Sequence, residues 1–180
     1  MKRFCLLLML LALPISSEPW DSWREGKAIL IMRHTLAPGT GDPVGFVLQD
    51  CSTQRNLNNE GRQQASRWGK LLRKKYSADI TVYSSQWCRC LETARLMQLA
   101  TPEALPALNS FFAGRGDANK QTKALLQQFA VAQTPQPTVL VTHQVNFTAL
   151  TGIFPRSGEA AIIALPLTQP ATVLARINTP

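Results

Sequence analysis

The chain has 180 residues, 45% apolar, 17% charged and 7% aromatic, with a formal net charge of +8. That length suits one α/β domain with a buried core and is short for two, and the composition excludes a disordered or collagen-like chain. No apolar run reaches about 18 residues, so neither a transmembrane helix nor a stable membrane anchor is expected.

Residues 1–17 read as a secretory signal peptide. Lys2 and Arg3 form a positive start, Phe4 to Ile15 a short apolar core, and Ser16-Ser17 a small-residue cleavage region before Glu18. The folded domain is therefore expected over 18–180, in a compartment outside the cytosol, the bacterial periplasm. Without Lys2 and Arg3 it carries 17 basic and 11 acidic groups, net +6.

Ala28-Ile29-Leu30-Ile31-Met32 is a continuous apolar run of the kind that forms a buried parallel strand. It ends at Arg33-His34, and the stretch Ala37-Pro38-Gly39-Thr40-Gly41-Asp42-Pro43 reads as a loop. A helix follows, capped by Asn58 or Asn59, with Gly61, Ala65, Trp68 and Leu72 on its buried face and Arg73, Lys74 and Lys75 at its C-terminus. Ile80 to Tyr83 predicts a second strand, and Ser84 or Ser85 caps a helix over about 87–99. Residues 102–106 read as loop and 119–133 as a helix with Leu125, Leu126 and Phe129 inward, broken at Thr134-Pro135-Gln136-Pro137. Val139-Leu140-Val141 is a third apolar strand ending at Thr142-His143, followed by a short helix to Leu150 and strands over 160–165 and 173–177. Strands alternating with helices predict a three-layer α/β/α sandwich with a mainly parallel central sheet.

Of the cysteines after the leader, Cys88 and Cys90 are two apart. On a helix they point about 200° apart and cannot easily bond each other. Cys51 is thus expected to pair with Cys88 or Cys90, with preference for Cys88. A zinc site needs about four suitably spaced ligands, which are missing, so no metal is expected. Arg62, Lys70, Arg73 and Lys74 read as a solvated helix face. Aromatic residues are not interleaved with them, so no nucleic-acid partner is expected. Oligomeric state is not legible.

Ligands of open parallel sheets bind at the carboxyl ends of strands. Both histidines fall there, at the ends of the first and third apolar strands, with arginines alongside. Guanidinium groups bind phosphate oxygens bidentately, and a neutral imidazole is a nucleophile toward phosphorus. Phosphoryl transfer needs mainly positioning and charge stabilisation. Arg89, near a helix N-terminus, adds attraction for an anion.

These residues resemble the histidine phosphatase superfamily, also called phosphoglycerate mutase-like. The likeness rests on Arg33-His34 after an apolar strand and on the run from Arg55 through Leu57, Gly61 and Gln64 to Ala65, similar to R-x-L-T-x-x-G-x-x-Q-A. It continues in the run from Ser84-Ser85 through Arg89 to Glu92-Thr93-Ala94, similar to S-S-x-x-x-R-x-x-E-T-A, and closes at Val141-Thr142-His143. The segments around 36–43 and 143–146 look like those of a secreted bacterial subgroup. The resemblance implies a phosphoglycerate mutase-like fold and a phosphomonoesterase that hydrolyses a small phosphorylated substrate without cofactor. His34 would become phosphohistidine, Arg33, Arg55 and Arg89 would hold phosphoryl oxygens, and His143 would stabilise the transition state. Thr35 stands where the family has Gly or Ala and would lend a hydroxyl to the phosphate. Gln144 stands where one branch has an acidic Asp.

The leaving-group acid is open. Asp42, Asp50, Glu103, Asp117 and Glu159 are the candidates, with Asp117 and Glu159 ranked first for their positions in a loop that closes over substrate and beside the last strands. A substrate with a good leaving group, or a phosphohistidine, needs no acid. Three other functions compete: a non-catalytic phosphate-ligand binding domain of the same fold, a mutase, which the leader opposes, and a serine hydrolase, which the missing G-x-S-x-G opposes.

Overall fold

A computed structural model describes residues 18–180, so the leader read over 1–17 lies outside the described residues. Its centre is a six-stranded sheet. In chain order the strands are β1 (Ala28–Arg33), β2 (Thr81–Ser84), β3 (Glu103–Ala104), β4 (Thr138–Thr142), β5 (Ala160–Ala164) and β6 (Val173–Ile177), and in space β3-β2-β4-β1-β5-β6. The pairings β3–β2, β2–β4 and β4–β1 are parallel, while β5 runs against both its neighbours. This is the mainly parallel three-layer sandwich expected from the sequence.

Burial on both faces explains why β1 reads as an unbroken apolar run. Ala28, Leu30 and Met32 pack into one core with Trp23, Trp68 and Leu72. Ile29 and Ile31 pack into the other with Leu125, Phe129, Phe147 and Leu150. The first core lies under helices α1 (Pro19–Arg24), α2 (Asn59–Lys75) and α3 (Cys88–Leu96), and the second under α4 (Ala118–Gln128) and α5 (Gln144–Thr151).

Helix α2 begins where Asn58 Oδ1 accepts the Gly61 N–H at 2.8 Å. Gly61 is fixed by contact: a Cβ there would lie 2.1 Å from the Leu36 carbonyl oxygen, so the helix start presses directly on the backbone that follows His34. Helices α3 and α4 end earlier than the sequence suggests. Leu99 and Phe129 nevertheless stay buried, because the chain keeps feeding the core after the helical hydrogen bonds stop. Short elements escape the sequence reading. Helix α1 is too short for periodicity, and β3 is a two-residue strand inside the segment 102–106 read as loop.

Candidate active site

Three adjacent parallel strands release the chain at one rim of the sheet. Register places Arg33 of β1 opposite Thr142 of β4, the His34 N–H donates to the Thr142 carbonyl at 2.8 Å, and the Ser85 N–H donates to the Val141 carbonyl at 3.0 Å. His34, Ser85 and His143 thus leave their strands side by side. The two imidazoles meet edge to face with centroids 5.5 Å apart, and both are almost wholly buried.

Helix α3 brings Arg89 between them. Its Nε donates to His34 Nε2 at 3.2 Å and its Nη2 to His143 Nδ1 at 3.3 Å. A guanidinium has no acceptor, so both ring nitrogens must present lone pairs. The remaining protons follow. His34 Nδ1–H donates to the Thr35 carbonyl at 2.8 Å, and His143 Nε2–H donates to Ser85 Oγ at 2.8 Å. Ser85 Oγ in turn donates to Asn109 Oδ1 at 3.2 Å. His34 Nε2 therefore carries the lone pair that a nucleophile needs.

Electrostatics hold both rings neutral. Burial lowers the His34 pKa well below the ordinary range, and the Arg89, Arg33 and Arg55 charges lower it further against the opposing bond to Thr35. Burial, Arg89 and the neighbouring His34 do the same to His143.

Arg33 and Arg55 complete a cavity of about 280 Å³ that both histidines and Arg89 line. Arg33 Nη1 donates to the Pro155 carbonyl at 3.0 Å, while its buried Nε has no partner among the described residues. Arg55 grips the loop that follows β1: its Nε donates to the Gly41 carbonyl at 2.8 Å and its Nη1 to the Ala37 carbonyl. Burial first, then the Arg89 charge, pulls its pKa down to about 10. Three guanidiniums beside two neutral imidazoles make an anion receptor. Phe112, Val145 and Phe154 give its wall an apolar portion.

The structure brings together Arg33, His34, Arg55, Arg89 and His143. It does not bring the other three expected residues to them. Thr35 is fully buried away from the cavity, with its hydroxyl 3.0 Å from Thr93 Oγ1, so it offers no contact to a phosphate. Asp117 caps α4, its Oδ1 accepting the Lys120 N–H at 2.9 Å. The Glu159 carboxylate is committed to Arg176 and to the Arg156 N–H; only its main-chain carbonyl reaches the site, accepting the Arg33 N–H at 3.0 Å.

The carboxylate that does line the cavity is Asp42, ranked behind these two in the sequence. Its oxygens accept from Arg89, from the Arg55 N–H and from the Trp87 indole. Burial raises its pKa, but the Arg89 hydrogen bond and charge outweigh that and hold it below the usual carboxylate range. The signal in the sequence was indirect: Arg55 and Cys51, which close this loop onto the site, lie just downstream of it. Gln144 also lines the cavity and donates from Nε2 to Thr148 Oγ1 at 3.0 Å.

Cys51 bonds Cys88, with Cα atoms 5.7 Å apart, tying the loop before Arg55 to the residue before Arg89. Cys90 remains a buried thiol. Among the described residues no group of three or more His, Cys, Asp or Glu is arranged to hold a metal ion.

The family model "Histidine phosphatase superfamily (branch 1)" matches residues 29–131, a span that includes His34, Arg55 and Arg89 and stops before His143. No curated protein matches the chain. Among solved structures, the protein histidine phosphatase SixA complexed with tungstate is similar at 16% identity and TM-score 0.58, over 84% of this chain and 97% of that one. A phosphoserine phosphatase from Entamoeba histolytica is similar at 13% identity and TM-score 0.57, over 84% and 97%. A phosphoglycerate mutase from Plasmodium falciparum is similar at 18% identity and TM-score 0.52, over 77% and 86%. At such identities these likenesses speak to the fold.

Proposed function

The chain belongs to the histidine phosphatase superfamily, and on that premise we propose that it is a phosphomonoesterase working through a phosphohistidine on His34. The observation that carries this reading is one guanidinium, Arg89, hydrogen-bonded to the lone pairs of both His34 Nε2 and His143 Nδ1 in an arginine-lined cavity.

A phosphate monoester entering the cavity offers oxygens to Arg33, Arg55 and Arg89. Arg33 Nε gains the acceptor it lacks. The Arg89 N–H groups move from imidazole nitrogen to phosphoryl oxygen, which frees the His34 lone pair. Nε2 then attacks phosphorus, while the Nδ1–H bond to the Thr35 carbonyl keeps the ring oriented and spreads its developing charge. His143 Nδ1, given up by Arg89 in the same exchange, meets the charge on the equatorial oxygens once it has taken a proton from solvent, which the adjacent anion favours. Water releases inorganic phosphate from His34 in the second half-reaction.

The test is hydrolysis of 4-nitrophenyl phosphate by the wild type and by His34→Ala. A fall of more than about 10³-fold is expected when a covalent nucleophile is removed, together with loss of the acid-labile phosphoenzyme. A fall of less than about tenfold, or tight phosphate binding by a wild type that turns nothing over, overturns the covalent role.

The same proposal includes export. Its support is the Lys2-Arg3 start and apolar stretch of the leader, together with a Cys51–Cys88 bond of the kind that persists outside the cytosol. An intact leader on protein recovered from the producing cell would overturn it.

A further inference from the structure

We propose that Asp42 is the proton donor to the leaving group, and that it stays bound to Arg89 until the phosphate of the substrate displaces it. This rests on the hydrolytic reading above and assigns the acid that reading lacks.

Among the described residues Asp42 is the one carboxylate lining the cavity, and its side chain is 4% exposed. It accepts four hydrogen bonds: from Arg89 Nη1 at 2.7 Å and the Arg55 N–H at 3.1 Å on Oδ1, and from Trp87 Nε1 at 3.1 Å and Arg89 Nη2 at 3.4 Å on Oδ2. A single guanidinium therefore separates its carboxylate from His34 Nε2. Its loop turns through Gly39 and Gly41, at φ +91° and +68°, and is held from below by Arg55.

A carboxylate and a phosphoryl group compete for the same guanidinium edge. Every nitrogen of Arg89 is already engaged, Nε by His34, Nη2 by His143 and Asp42, Nη1 by Asp42 and the Arg55 carbonyl. A phosphate can use Arg89 only by taking over some of these bonds. The exchange uncovers His34 Nε2. It also leaves a buried carboxylate without its cation and next to a new anion, and both changes favour the protonated form.

The proton comes from the bound monoanion, which becomes the dianion. In the first step the Nε2–P bond forms and the ester P–O bond breaks, with the Asp42 proton passing to the leaving oxygen to give the alcohol. In the second, water oxygen attacks phosphorus, Asp42 takes one proton of that water, and the N–P electron pair returns to Nε2. Inorganic phosphate departs, and Asp42 gives up its proton to solvent as it rejoins Arg89.

The experiment compares Asp42→Asn and Asp42→Ala with wild type on glycerol phosphate, whose alkoxide is a poor leaving group, and on 4-nitrophenyl phosphate, whose phenolate needs no acid. The expected loss in kcat is about 10²–10⁴-fold on the first and under about tenfold on the second. Equal losses on both esters, or no loss on glycerol phosphate, overturn the proposal, as does a wild type that hydrolyses only the nitrophenyl ester. Inorganic phosphate binding tests the displacement independently: Asp42→Ala should bind it several-fold more tightly, and weaker binding overturns that part. His34→Ala separates the two levels. If it still hydrolyses the nitrophenyl ester within about tenfold of wild type, the covalent role of His34 fails, whatever Asp42 does.

Discussion

Glu159 and Arg176 form an ion pair across the β5–β6 edge, with Arg176 Nε 2.8 Å from Glu159 Oε1 and the carboxylate 3% exposed. A carboxylate committed in this way is part of the scaffold. Glu159→Gln is expected to lower stability by about 1–3 kcal/mol, the cost of weakening a buried, charge-assisted bond, and to leave kcat on both esters within about threefold. Urea unfolding and steady-state kinetics on one preparation check both halves.

Arg89 answers five acceptor atoms on four other residues, the two histidines, both oxygens of Asp42 and the Arg55 carbonyl. Arg89→Lys keeps the charge and loses the planar fork. Phosphate affinity should fall at least about tenfold. Arg89→Met strands Asp42 inside the protein and should destabilise by about 3–5 kcal/mol. Adding Asp42→Asn should return part of that loss, as a double-mutant cycle would record.

Acid should weaken the fold before it titrates ordinary carboxylates. His34 and His143 have pKa values pushed well below the ordinary one, so below about pH 6.5 the unfolded chain binds protons that the folded one refuses. Their contribution to stability is complete above that pH and is lost as pH falls through the folded values. The urea midpoint should drop between pH 7.5 and 5.5, and His143→Gln should flatten the drop. A wild-type midpoint that stays level over this range contradicts the assignment. Asp42, held below its usual range, acts in the same direction in a separate, more acid window beginning near pH 4.

The Cys51–Cys88 bond closes a loop over a sequence separation of 37. Reduction, or Cys51→Ser, should cost about 4 kcal/mol by loop-closure entropy. It should also depress activity, because the released segment carries Arg55 and the base of the Asp42 loop. Burial pushes the Cys90 thiol up to about 12, so a thiol reagent should find it only after unfolding.

Much of the site was legible because strand ends are legible. An apolar run that stops at Arg33-His34 and another that stops at Thr142-His143 put both imidazoles on one rim once the sheet is parallel. Arg89 followed from its place near the next helix N-terminus, and family spacing added Arg55. Asp42 was harder to see. It sits in a Gly-Pro loop with no periodicity, and only three-dimensional closure by Arg55 and the disulfide returns it to the cavity. Thr35 misled for a related reason. Arg33 and His34 just before it line the cavity, yet its own side chain points to Thr93 of α3. Glu159 lies close to the site in backbone and away from it in side chain, because side-chain direction depends on a partner, Arg176, that β6 supplies late in the chain.

Trp87 stacks on Phe46 with ring centroids 5.1 Å apart, meets the His143 ring edge-on at 5.4 Å and donates its indole N–H to Asp42. An indole with one face on a phenyl ring and its nitrogen on a displaceable acid is a built-in optical probe. Ligand arrival would register as a change in ultraviolet emission, so occupancy can be followed in real time without any label, even on a variant that no longer turns over.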